Sequence, residues 1–398
     1  MTWPERSFEP MRVYLLILAL VFNTNACAAT QTNSLAELGE RLFFDVNLSL
    51  NRTQSCATCH DPARAFSDGR ANRASSAASL GDDGQSLGDR NTPSTTYASL
   101  TPAFHKDANG EYAGGLFLDG RSATLVDQAA EPFVNPIEMA MPDPAAVVAR
   151  VRENHHYATA FAELFGTYIF DDTERAYRAI GESLAAFQTT DVFAPFNSRY
   201  DRYLRGEYQM TEQEELGRKL FFSQLTNCSN CHILNTAMPG EPEEPFTNYR
   251  FQNIGIPANE NLRSHNGLGR SHRDPGLLEN PTVTDAAQAG KFKVPTLRNV
   301  AVTGPYMHNG VFNKLSTAIH FYSQYTVRNA DTLTNPETGM PWRRPEFQDT
   351  IELDLLREGQ PMDAERVAVL EAFLRTLTDR RYEPLLESPT APTSRSRR

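Results

Sequence analysis

Leu38-Gly39-Glu40-Arg41-Leu42-Phe43-Phe44, running on to Cys56-Ala57-Thr58-Cys59-His60, is a pattern that this chain uses twice. The second copy is Leu216-Gly217-Arg218-Lys219-Leu220-Phe221-Phe222, followed by Cys228-Ser229-Asn230-Cys231-His232. Each copy reads as an amphipathic helix feeding a C-x-x-C-H site, the attachment signature of c-type haem. In such a site two thioether bonds fix the porphyrin, and the adjacent His offers a nitrogen to iron. A zinc ribbon would instead bring the two Cys pairs close together and converge all four sulfurs. Here the pairs lie in separate halves, each with its own His, which a dithiol redox motif would not need. The duplication therefore points to two covalent haem c groups, one on Cys56, Cys59 and His60, the other on Cys228, Cys231 and His232.

The remaining composition fits an exported, globular carrier of such groups. The 398 residues suffice for two domains, with 40% hydrophobic and 22% charged residues. A net charge of −11 argues against nucleic acid as a partner and is compatible with a basic electron-transfer partner. Met11-Arg12 followed by Val13 to Phe22 has the basic and apolar regions of a secretory signal, too short to span a bilayer. Ala26-Cys27-Ala28 offers the cleavage site, so residues 1–28 read as a signal peptide and the mature protein as soluble and periplasmic. The alternative is a lipoprotein anchored through Cys27. Of five cysteines, four belong to the haem motifs and the fifth is Cys27, leaving none for disulfides.

Asp61 to Gly88 is rich in Gly, Ser, Ala and Asp and reads as a loop. It holds no His and no Met, the usual sixth ligands of a haem iron, so the first iron is expected to be open on its far side. Asp143-Pro144 is a helix start and Gly166 a helix stop. Ala176, Ile180, Leu184 and Phe187 recur at helical spacing, and Arg199 to Gly206 reads as the junction between halves. Pro239 to Pro245, Phe246 to Gly255 and Gly267 to Gly276 read as irregular. Leu315 to Tyr322 is expected to be a short helix, and Val367, Leu370, Leu374 and Leu377 the stripe of a last one. Few segments alternate with period two. The fold class is mainly α: two haem domains, 34–206 and 207–385, with long irregular loops and a disordered tail at 386–398.

Across nearly the whole mature chain these residues resemble the bacterial di-haem cytochrome c peroxidases and their relative MauG. The resemblance rests on both C-x-x-C-H sites with their Leu-Gly-x-x-Leu-Phe-Phe leaders, and on Arg90-Asn91-Thr92-Pro93 and Asp119-Gly120-Arg121. It extends to Asn135-Pro136-Ile137-Glu138-Met139, Pro295-Thr296-Leu297-Arg298-Asn299-Val300 and Pro305-Tyr306-Met307-His308-Asn309-Gly310. It implies two tandem cytochrome-c-like domains with a calcium ion between the haems. It also implies that Gln128 and Glu138 form the polar pair over the N-terminal haem, with Pro132 shaping that pocket. Asn91 would give calcium its side-chain ligand, with the carbonyls of Thr303 and Pro305 beside it, an oxygen set that suits a hard cation. Tyr322 falls at the distal ligand position of the C-terminal haem, with His320 and Met307 as neighbouring competitors.

Two departures from the family pattern stand out. Its usual Trp before Asp-Gly-Arg is here Leu118, and Phe117 beside it is hard to oxidise, so the aromatic relay between the irons is missing. The His often found in the loop after the first haem is also missing, which implies an enzyme needing no reductive activation. The activity implied is reduction of hydrogen peroxide at the open N-terminal haem, with electrons relayed through the C-terminal haem from a small c-type cytochrome or cupredoxin. The first alternative is MauG-like, peroxide-dependent oxidation of residues in a partner protein. The second is a di-haem electron-transfer cytochrome without catalysis.

Overall fold

Two helix pairs, built the same way, carry the two motifs. The computed structural model describes residue 1 and residues 34–234, 244–326 and 331–387. The signal-peptide and Cys27 readings, and the expected tail beyond residue 387, lie outside them. In the first half the helices are α1 (Leu35–Phe44), α2 (Cys56–Cys59), α3 (Leu125–Val134), α4 (Pro144–Glu153), α5 (His155–Phe165) and α6 (Thr173–Gln188). In the second they are α7 (Arg199–Leu204), α8 (Glu212–Phe221), α9 (Glu260–His265), α10 (Leu315–Phe321), α11 (Leu353–Arg357) and α12 (Ala364–Arg375). The strands are two-residue antiparallel pairs: β1 (His105–Lys106) with β2 (Tyr112–Ala113), β3 (Phe251–Gln252) with β4 (Phe292–Lys293), and β5 (Thr334–Asn335) with β6 (Met340–Pro341). The mainly helical expectation holds. No helix among the described residues is long and apolar enough to cross a membrane.

Capping and glycine placement explain the repeat. Ser34 and Glu37 form a reciprocal capping box that starts α1, and Thr211 and Glu214 form the same box at α8. Gly39 lets α1 lie directly on α6, where a Cβ would collide with the Ser183 carbonyl; Gly217 does the same for α8 against the Val369 carbonyl of α12. Each crossing then buries an aromatic nest. Phe43 has Phe66, Phe187 and Phe193 at 5.5–6.0 Å between ring centroids, and Phe221 has Phe246 and Phe373 at 6.1 and 5.2 Å. Such pairs are worth about 0.5–1.5 kcal/mol each beyond area burial.

The two cores meet across a buried polar seam. Tyr97 donates to Asp379 at 2.6 Å, and the Asn299 amide donates to the other Asp379 oxygen at 2.8 Å and to Thr96 at 3.2 Å. Arg298 binds Asp201 at 2.7 Å with neither side chain exposed, and its guanidinium lies 5.2 Å from the Tyr97 ring centre. Burial this complete demands pairing, since an orphaned charge there would cost about 3–5 kcal/mol.

One segment differs from expectation, and two others gain detail. The helix expected from Asp143 to Gly166 is two helices, because Asn154 closes α4 through its backbone N–H and caps α5 by accepting from the His156 N–H. The junction at Arg199–Gly206 is itself the helix α7, with Tyr200 buried in the second core. The loop after the first motif is ordered: Ala74, Ala77, Ala78 and Leu87 pack with Leu262 of α9, and Arg73 donates to the His265 carbonyl.

Candidate functional site

Both motif histidines are held alike from behind. His60 Nδ1 donates to the Phe66 carbonyl at 3.1 Å and His232 Nδ1 to the Phe246 carbonyl at 3.0 Å, which leaves each Nε2 free for a metal. Phe66 and Phe246 both adopt positive φ, 53° and 54°, and so turn those carbonyls inward. Burial lowers both imidazole pKa values, His232 to about 4, so each ring is neutral, the form that ligates iron. None of the four motif cysteines is in a disulfide. Among the described residues no three or more His, Cys, Asp or Glu side chains gather as a metal cluster, so the four sulfurs do not converge.

A cavity of about 360 Å³ opens on the second motif. Cys228, Cys231 and His232 line one side, and Tyr322, Ile319, Met362 and Leu370 are among the residues lining the rest. The mostly apolar slot also holds Tyr306 and His308, and its two thiols, the His232 imidazole and the Tyr322 phenol are the donor set a covalent haem needs. Burial pushes the Tyr322 phenol well above its usual range, and the Cys231 and Cys228 thiols opposite add to the effect. An anionic phenolate is therefore stable there only beside a cation. Of the two competitors, Met307 lines the cavity, while His320 is half-buried and hydrogen-bonds the Asp331 carbonyl at 3.0 Å. Asn91, Thr303 and Pro305 line the same cavity. The Asn91 Nδ2 is used on the Ala77 carbonyl at 3.2 Å, leaving Oδ1, and among the described residues neither the Thr303 nor the Pro305 carbonyl accepts a hydrogen bond.

Over the first motif the arrangement is different. Pro132 sits inside α3 and has no N–H to give the Gln128 carbonyl one turn earlier. Gln128 and Pro132, four apart, share one helix face. The helix ends at Asn135-Pro136, where Asn135 folds the chain back on itself. Its carbonyl accepts from the Glu138 and Ala140 amides at 3.0 Å, and its side-chain amide donates to Glu138 Oε1 at 2.9 Å. Burial is the main cause that raises the Glu138 carboxyl, to about 7; the Arg121 charge opposes it, while Asp89 and Glu131 reinforce it. The Glu138 charge is felt by the Cys56 and Cys59 thiols, which places it near the first motif.

Asp82 ties this corner to the motif. Its amide donates to the Glu138 carbonyl at 2.7 Å, and its carboxylate accepts from Ser49 at 2.7 Å, the Asn51 N–H and the Thr53 hydroxyl at 2.6 Å. Sequence reading passed over Asp82, which lies in no motif of recognised chemistry, and met Asn135 only as part of a shared stretch, with no role of its own. It also passed over an internal register. Isolated bridges pair Leu116 with Ser122 and Tyr306 with Phe312, while α3 starts at Leu125 and α10 at Leu315, so a spacing of 190 residues relates the two halves here. That spacing carries Asp119-Gly120 onto Asn309-Gly310, a signal visible in the sequence, and Pro132 onto Tyr322.

Comparison with known proteins agrees with this geometry. A family model described as di-haem cytochrome c peroxidase matches residues 33–209. The chain is 54% identical over 377 residues to the methylamine utilization protein MauG of Paracoccus denitrificans (strain Pd 1222), covering 95% of this chain and 97% of that one. It is 31% identical over 291 residues to the cytochrome c peroxidase Ccp of Escherichia coli (strain K12), covering 73% and 53%. The crystal structure of the diheme peroxidase BthA from Burkholderia thailandensis E264 superposes with a TM-score of 0.77 at 34% identity, covering 90% of this chain and 88% of that chain.

Proposed function

Because this chain belongs to the di-haem cytochrome c peroxidase family, whose members are oxidoreductases with two haem c groups, we propose that it consumes hydrogen peroxide at its first haem and draws the electrons through its second. The observation that carries this reading is the inequality of the two far faces. Pro132, which cannot ligate a metal, stands in the register position that Tyr322 occupies in the other half, and Glu138 stands beside the first motif.

The haem iron, when bound, supplies the redox chemistry at oxygen. The protein supplies the rest. His60 would hold the first iron, and Pro132 would help shape the pocket beside it. Gln128 orients peroxide through its amide. Glu138, poised near neutrality, takes the proton from one peroxide oxygen and returns it to the other, which leaves as water. Two electrons and two further protons complete reduction of H2O2 to two waters. His232 and Tyr322 would hold the second iron, and Asn91, Thr303 and Pro305 would hold a calcium ion. The lobes are taken as 34–206 and 207–385, exported to the periplasm by residues 1–28.

A second reading concerns the electron source. Near-full-length identity of 54% to the methylamine utilization protein MauG favours side chains of a partner protein over a small cytochrome or cupredoxin. Stopped-flow mixing of the ferric holoprotein with peroxide tests the first reading. Wild type should consume peroxide, and Glu138→Gln should slow it by about 10²–10⁴. Equal rates would remove Glu138 from the chemistry, and no consumption by either would favour a plain electron-transfer cytochrome.

A further inference from the structure

Lys293 is the cation left over where the two lobes meet. Its backbone N–H donates to the Leu118 carbonyl at 2.8 Å, and its ammonium donates to the Gly115 carbonyl. An ammonium has three donors, and among the described residues Gly115 is its one hydrogen-bond partner, with no carboxylate within ion-pair distance. Asp119, the acid whose charge reaches it, is already taken: Oδ2 accepts from Arg90 at 2.5 Å and Arg121 at 2.8 Å, and Oδ1 from the Arg121 N–H at 3.0 Å. Arg90 also binds Asp274 and Glu279. The two guanidiniums thus satisfy the carboxylates of this cluster, and Lys293 lines the same cavity as Cys228, Cys231 and His232. In the first half the cation beside the motif, Arg70, reaches the Cys59 sulfur at 3.3 Å but is already paired with Asp68 at 2.6 Å. Lys293 stands two residues before Pro295, and at the matching place before Pro93 stands the neutral Asn91.

We propose that Lys293 anchors the second haem by pairing with one of its carboxylates, and that this charge raises the reduction potential of the capped iron. The inference rests on the reading of the second motif as a haem site. A buried ammonium needs a counter-ion; among the described residues Glu346, Glu352 and Glu358 line the cavity but none lies within ion-pair distance of Lys293, whereas a haem carries its own acidic groups into the slot. Positive charge near the iron disfavours the more positive ferric state, so removing it lowers the midpoint.

Spectroelectrochemical titration of the holoprotein tests this, with haem content measured in each variant. In Lys293→Met, and in Lys293→Gln carried as a second neutral variant, the low-spin haem should fall in midpoint by about 59 mV or more, a tenfold change in the reduction equilibrium. Lys293→Arg should stay near wild type. An unchanged midpoint in both neutral variants overturns the proposal, and so does an equal fall in Lys293→Arg, which would make the effect one of packing. A wild-type protein without a low-spin second haem would instead refute the underlying site reading.

Discussion

Pro132 and Tyr322 occupy one station of a repeated design, 190 residues apart, on helices that begin at Leu125 and Leu315 after matching bridges. One offers no donor to a metal and the other offers a phenol. Under the proposed function, this one side chain in each half separates a centre that reacts from a centre that relays.

Supplying a ligand at the first station should close it. Pro132→His is expected to convert the high-spin signal of the first iron to low-spin. With the site occupied about 99% of the time, peroxide consumption falls about 100-fold. Magnetic spectra and stopped-flow rates on the same samples check this; a persistent high-spin signal would separate Pro132 from the far face of the iron.

The pH profile reports on Glu138. Burial raises its carboxyl to about 7, so the proton-accepting form gains population as pH rises through that value. The rate with peroxide should therefore climb between about pH 6 and 8, and the limb should vanish in Glu138→Gln. The same raised value makes folding favour the protonated acid, a contribution present below the ordinary 4.5 and lost as pH rises through about 7. The Gln variant should lose that slope in stability as well.

The helix crossings should tolerate no added carbon. Gly217→Ala forces a Cβ into the Val369 carbonyl, a backbone atom that cannot swing aside, and should cost about 1–3 kcal/mol. Thermal unfolding with both haems attached measures it, and an unchanged melting temperature would mean that α8 and α12 do not meet as described.

Asp82 should behave as a brace for the Glu138 corner. Burial alone would raise its carboxyl, but hydrogen bonds from Thr53, Asn51 and Ser49 prevail and hold it below the ordinary 3.8. Its contribution is present above 3.8 and lost as pH falls through the lower folded value. Asp82→Asn should cost about 1–3 kcal/mol at neutral pH and flatten the acid limb of a stability titration.

How much of this could be read from residues alone depends on whether the signal was local. The motifs, the stripe Ala176, Ile180, Leu184 and Phe187, and the short helix ending at Tyr322 are written in adjacent residues, and α6 and α10 follow them. The break at Asn154 was less legible, because a capping side chain competes with helix continuation within one turn. Lys293 was illegible: its importance comes from Asp119 being claimed by Arg90 and Arg121, contacts set by tertiary packing. Pro132 and Tyr322 lay between, each legible by resemblance, while their shared station needed the bridges at Leu116 and Tyr306.

The most direct test of unequal centres is the electron paramagnetic resonance spectrum of the ferric holoprotein, recorded before and after adding a small exogenous iron ligand. One high-spin and one low-spin haem are predicted, with only the high-spin signal shifting on ligand addition. Two low-spin haems, both indifferent to the ligand, would contradict the account.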